Sequence, residues 1–227
     1  MLSAIAIVPS APVLVPQLAG AAAAEVADVA NAALAAAALL PPRWVVIGIG
    51  EADAAYGPDA AGTLAGFGVD VPVSLSPRGG RPVELPVCAL LGAWLRGRAR
   101  PEASARVRVY RADHDAGAAL EHGRRLRAEL DAEPDPTGVL VVADGANTLT
   151  PAAPGGHHPE NADAQRALDD ALARGDVAAL TRLPRPIPGR VAFQVLAGLT
   201  EPGPRSAKEL YRGAPYGVGY FVGAWQA

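Results

Sequence analysis

Gly138-Val-Leu-Val-Val-Ala143 runs straight into Asp144-Gly-Ala-Asn147, an apolar stretch that stops on turn-forming residues. A short run rich in β-branched side chains, with no polar position to face water, reads as a strand buried on both faces. Such strands belong to parallel sheets with helices packed above and below. The rest of the chain can be read as a search for the neighbours of this strand.

Working outward, Leu2–Val8 is a second apolar run, ended by Pro9, and Trp44-Val-Val-Ile-Gly48 is a third, opening into a glycine-rich turn. Arg106-Val-Arg-Val-Tyr110 alternates, as a half-covered strand does. Val69–Leu75 reads as a further strand, with Pro72 confining it to an edge or a strand start. Glu209–Gly213 and Gly217–Trp225 read as a closing pair. Between them lie helical patterns. The Ala-rich stretch Ala21–Leu40 stops before Pro41-Pro42, and an apolar helix covers Val87–Leu95. Ala116, Ala119, Leu120, Gly123, Leu126 and Leu130 share one helix face, with Asp115 as N-cap. Helices over Asn161–Arg174, Asp176–Leu183 and Val191–Leu199 follow, the last two separated by Pro184–Pro188. The expected fold is α/β: a single three-layer α/β/α sandwich with a mixed, largely parallel sheet over residues 1–227.

Composition narrows the function classes. Half of the residues are apolar and 19% are charged, which is enough to build a core. A net charge of −3 gives no general attraction to nucleic acid or to anionic membrane. Glu25, Asp28 and Asn31 interrupt the Ala-rich stretch and mark it as a water-facing helix, not a membrane span. The first basic residue is Arg43, so the N-terminus lacks the positive region of a signal peptide. Cys88 is the only cysteine and sits in an apolar run, which fits a buried small hydrophobe in a reducing cytoplasm.

In doubly wound sheets the ligand crevice lies beyond the carboxyl ends of the strands. The loops after Val8, Gly48 and Ala143 therefore carry the candidate site residues: Ser10, Gly50, Glu51, Asp144 and Asn147. Glu51 and Asp144 are an available carboxylate pair, read here first as loop-fixing acids and second as acid/base groups. Gly48-Ile-Gly50 is half of a dinucleotide fingerprint, but Asp53 stands at its third glycine position, and Glu51 and Asp53 would repel a pyrophosphate.

The loop sequences also carry a family likeness. Ile7-Val-Pro-Ser-Ala-Pro-Val-Leu-Val-Pro16, Asp144-Gly-Ala-Asn-Thr-Leu-Thr-Pro-Ala-Ala-Pro154, Ile187-Pro-Gly-Arg190 and Ala214-Pro-Tyr-Gly-Val-Gly-Tyr220 resemble the motifs of the LigB-type class III extradiol dioxygenases and their Memo-like relatives. They are most similar to an Ala-rich actinobacterial branch. That resemblance implies the same sandwich and a site that holds Fe(II) on two histidines and a carboxylate, with a further histidine as acid/base. At the matching positions this chain has Ser10, the turn Gly48–Glu51, a residue near Pro188 and, for the acid/base group, Asn147. A hydroxyl, a glycine turn and a proline are not a ferrous ligand set. The resemblance therefore implies a subunit-B-like scaffold without its oxygenase chemistry and with no cofactor expected.

The four histidines are His114, His122, His157 and His158. His114 is expected to be a solvated residue at a helix start and His122 to lie on that helix's polar face. His157 and His158, in the loop after the strongest strand, are the relocated metal candidates, with an exposed loop as the plainer reading. Three functions stay open: a binder of a small polar or aromatic molecule, an enzyme with altered or metal-free chemistry, and a structural subunit pairing with itself or a second chain.

Overall fold

The computed structural model describes residues 1–227. β1 (Leu2–Val8) leads through short helical turns, including α1 (Pro16–Ala19), into α2 (Ala27–Ala38) and β2 (Arg43–Gly50). Four short strands follow: β3 (Ala54–Tyr56), β4 (Ala60–Thr63), β5 (Pro72–Ser74) and β6 (Arg81–Pro82). Next come α3 (Val87–Ala99), β7 (Ser104–Arg111), α4 (Ala116–Asp131) and β8 (Thr137–Val142). Then α5 (Asn161–Arg174), α6 (Val177–Leu180) and α7 (Arg190–Thr200) precede β9 (Ser206–Gly213) and β10 (Tyr220–Gln226).

The main sheet has seven strands in the order β3-β7-β2-β8-β1-β10-β9. The inner four, β7, β2, β8 and β1, are parallel, while β3, β10 and β9 join antiparallel. Alternate residues along each strand feed different cores, as the two-residue period requires. Ala6, Val8, Val46, Leu140 and Val142 pack under α2 and α3. Ile5, Ile7, Val45, Ile47, Val139 and Val141 pack under α4 to α7. This is the expected three-layer α/β/α sandwich, and Ile5, Val46, Leu140 and Val142 are all buried.

β8 is inserted between β1 and β2. The chain leaving β1 runs to α2 on one face, whereas the chain leaving β8 runs to α5 on the other. The loops leaving β1 and β8 thus diverge to opposite faces at adjacent strand ends, the arrangement that opens a crevice.

Several boundaries differ from the sequence reading. The Ala21–Leu40 helix is broken: Gly20–Ala24 is a 3₁₀ turn, and the α-helix begins only at Ala27, after the buried Val26 turns the chain. Alanine favours helix but offers no side chain to fix where it starts, so tertiary packing decides. Of Val69–Leu75 only Pro72–Ser74 is strand, and it belongs to a separate three-stranded sheet, β5-β4-β6. That small sheet covers α3, whose residues from Cys88 to Arg96 are all buried. An apolar helix needs this second cover because the main sheet hides only one of its sides. Arg96 ties the layers together, donating to the carbonyls of Ser74 at 3.0 Å, Pro101 at 2.7 Å and Ala103 at 3.1 Å.

α4 and α7 pack backbone to backbone. A Cβ on Gly123 would stand 2.6 Å from the Leu199 nitrogen, and one on Gly198 would stand 2.8 Å from the Leu120 carbonyl carbon. Cys88 is buried against Gly48, where a Cβ would sit 2.8 Å from its sulfur. No helix is long and apolar enough to cross a membrane.

Candidate functional site

The loops after β1 and β8 meet. Ser10 donates its backbone N–H to Asp144 Oδ1 at 2.8 Å, and Asp144 in turn accepts the Gly189 N–H on its carbonyl at 2.9 Å. Gly189 directly follows Pro188, so three of the segments carrying the family-like motifs are joined through one aspartate. Burial pushes the Asp144 carboxyl up to about 6, against the pull of the Ser10 N–H. Burial also raises the Tyr220 phenol, and the Asp144 carboxylate raises it further. Asp144 thus fixes the two loops, as the first of the two sequence readings has it.

The β8 loop is folded onto the segment before β10. Gly145 donates to the Gly219 carbonyl at 2.8 Å, Gly219 to Ala146 at 2.7 Å, and Leu149 to Gly217 at 3.0 Å. Gln165, buried on α5, locks this arrangement. Its Oε1 accepts the Ala146 N–H at 2.7 Å, and its Nε2 donates to Asp169 Oδ1 at 2.8 Å. Cβ atoms on Gly145 or Gly219 would collide with the Gln165 amide, so a side chain at either position would push that amide out of its place. Burial drives the Asp169 carboxyl up to about 6, with the Gln165 hydrogen bond opposing. Nothing in the sequence marked Gln165; its role depends on the α5 face meeting two glycine turns.

The other anticipated residues are distributed as follows. Asn147 turns into its own loop: its carbonyl accepts the Gly155 N–H at 2.9 Å, and its Oδ1 lies 2.5 Å from where a Gly155 Cβ would be. Gly50 pairs with Arg111 at the ends of β2 and β7, and its carbonyl accepts the Ala112 N–H at 3.1 Å. Glu51 is exposed beyond it. The structure therefore joins Ser10 with Asp144, and places Gly50 and Glu51 beside the β7 turn. His157 and His158 are exposed, and the only side-chain partner of His158 is Glu160, 3.1 Å from its Nδ1.

A different histidine pair is brought together. His114 is not a solvated cap residue: its side chain is only 15% exposed, and its Nε2 lies 2.9 and 3.0 Å from the two Asp53 oxygens. The His122 ring faces it with centroids 4.8 Å apart, backed by Tyr110 at 5.0 Å. One ligand atom from each of Asp53, His114 and His122 lies within 4.8 Å of the other two. Partial burial would raise Asp53, but the Arg111 N–H, donated at 2.7 Å, and His114 outweigh it and hold the carboxyl below its ordinary value. Burial first, then Arg125 and His114, keeps the His122 imidazole below its usual range. Asp115 caps α4 as anticipated, accepting the Ala118 N–H at 2.8 Å. The convergence arises because β2 and β7 are parallel neighbours, so their carboxyl-end turns adjoin although Asp53 and His114 are 61 residues apart.

Arg190 connects the two clusters. It follows Gly189, the partner of Asp144, and its Nη2 donates to the His114 carbonyl at 3.1 Å. A cavity of about 920 Å³ lies elsewhere, between the small sheet and α3, with Gln17, Val73, Val83 and Trp94 among its walls. Arg96 also borders it, but the guanidinium is spent on carbonyls.

No protein-family model matches the chain, and no curated protein sequence matches it. Among solved structures, the fold is similar to the crystal structure of the uncharacterized protein JW3007 from Escherichia coli K12, with a TM-score of 0.58 over 98% of this chain and 99% of that one. Sequence identity is 10%, so the likeness is one of fold: the α/β/α sandwich recurs along the whole length of both chains.

Proposed function

We propose that this protein is a LigB-like, non-oxygenase homologue that binds a small polar or aromatic molecule where the loops after β1 and β8 meet. The observation that carries the reading is the Ser10–Asp144 contact at 2.8 Å. The motifs resembling the dioxygenase site adjoin at the strand ends, yet the groups they present are a serine, an aspartate and a glycine turn. Those groups hydrogen-bond a ligand but do not hold Fe(II) for catechol and dioxygen. A cytoplasmic setting suits the single buried thiol, and self-association or a second subunit remains compatible with the sandwich.

Acid/base chemistry is the second reading, favoured by one observation. A carboxyl with a proton affinity near 6 exchanges protons at neutral pH far better than an ordinary aspartate.

Oxygen uptake with Fe(II) and protocatechuate tests the proposal, alongside calorimetric titration with protocatechuate. The expected result is no oxygen consumption and saturable binding that weakens at least about tenfold in Asp144→Ala, the loss of one charge-assisted contact. Oxygen consumption, or binding indifferent to Asp144, refutes it.

A further inference from the structure

The three side chains Asp53, His114 and His122 come from three different elements, the β2 turn, the β7 turn and the second turn of α4, and point at one another. Two imidazoles and a carboxylate are the donor types that borderline divalent cations prefer. We propose that they form a metal site for one Zn²⁺-class ion per chain, separate from the Ser10–Asp144 crevice and independent of whether that crevice binds anything.

The spacing is close to what an ion needs. Ligand atoms around a tetrahedral zinc stand about 3.3 Å apart, given bonds of about 2.0–2.1 Å. His114 Nε2 and Asp53 Oδ1 are already 2.9 Å apart, and no pair in the cluster exceeds 4.8 Å. Closing the remainder takes a rotation of the His122 ring.

The supporting contacts suit ligands. The Arg111 N–H fixes the Asp53 carboxylate, Arg190 pins the His114 backbone, and Tyr110 backs the His122 ring. Ligands held by such outer contacts lose little freedom on binding. Asp53 is half exposed, so the fourth position opens to solvent. Three protein donors and an open position are the count found in non-structural zinc sites.

Two nearby cations bear on the ion. Arg111 is neutralised by Asp113, to which its guanidinium is bonded. Arg125 places its Nη2 3.3 Å from His122 Nδ1 and opposes both a cation and the required ring rotation. Its side chain is 60% exposed and is otherwise held only by Glu121, whose carbonyl it reaches at 3.4 Å and whose carboxylate it reaches at 3.9 Å.

This last contact supplies a test that a purely structural cluster would fail. The full chain, stripped with chelator, is titrated with Zn²⁺ by calorimetry and with Co²⁺ by visible absorption. One ion per chain is expected, with intense tetrahedral-type Co²⁺ bands. Asp53→Ala, His114→Ala and His122→Ala should each weaken Zn²⁺ binding about 10–100-fold. Arg125→Gln should tighten it about threefold or more by removing a neighbouring positive charge. The His157→Ala, His158→Ala double variant should bind as the parent does. The site is wrong if the parent shows no saturable binding, or if binding survives His114→Ala unchanged. Loss of binding in the His157/His158 variant, or no gain in Arg125→Gln, would equally overturn it.

Discussion

Gly189 donates its N–H to the Asp144 carbonyl at 2.9 Å, and a Cβ at Gly189 would stand 2.5 Å from that same oxygen and 2.8 Å from the Ala143 Cβ. The start of α7 is thus pressed against the end of β8 with no room for a methyl group. Gly189→Ala is expected to lower stability by about 1–3 kcal/mol, the range for forcing an extra carbon into a packed site. Urea unfolding measures it. A variant as stable as the parent would mean that this junction is looser than described.

Asp144 also makes a pH prediction. Its carboxyl is raised from 3.8 to about 6 on folding, so the folded protein binds the proton more tightly than the unfolded chain. The stabilisation is complete below about pH 4 and is lost as pH rises through 6. Asparagine keeps an oxygen for the Ser10 N–H and has no charge to bury. Asp144→Asn should therefore gain stability relative to the parent between pH 4 and 7, by up to about 3 kcal/mol from the size of the shift. Asp53, Asp131 and Glu133 are lowered and act in the opposite sense, so the difference between the two proteins is the readout. A constant difference across this window would remove burial as the cause.

Gln165 joins three segments that are remote in sequence. Gln165→Ala leaves the buried Ala146 N–H without its acceptor and Asp169 without its donor. The expected cost is about 2–4 kcal/mol, for one unsatisfied donor and a cavity in the same place. Amide exchange at Ala146 and Gly219 should speed up more than exchange in β1. Uniform acceleration would indicate global loosening and not a local lock.

Cys88 should be inert in the folded protein. Burial pushes its thiol up to about 11, with neighbouring N–H groups opposing, and the side chain packs on Gly48. A thiol reagent at pH 8 should label it only after denaturant is added. Prompt labelling of native protein would show that α3 opens from the sheet.

The parts that sequence reading recovers are those encoded locally. Val139–Val142 and Trp44–Ile47 announce themselves because a strand covered on both faces has no polar residue to interrupt it. The small sheet is hard to read for the converse reason: β4 and β6 are four- and two-residue strands among glycine and proline, in a sheet that meets α3 through β5. At the site, Ser10 and Asp144 are legible because both directly follow buried strands. Asp53, His114 and His122 are not, since nothing before the Gly50–Arg111 register is known brings their turns together. His157 and His158 attract notice by being adjacent, but a loop that bends away from the sheet leaves them in water.

The glycine contact between α4 and α7 has a mechanical consequence. With no side-chain layer between Gly123 and Val195, or between Gly198 and Leu120, there is nothing compressible to absorb a displacement. α4 starts beside His114, and α7 starts at Arg190 beside Asp144. The two clusters therefore sit at the starts of one directly packed helix pair, with no soft layer between the helices.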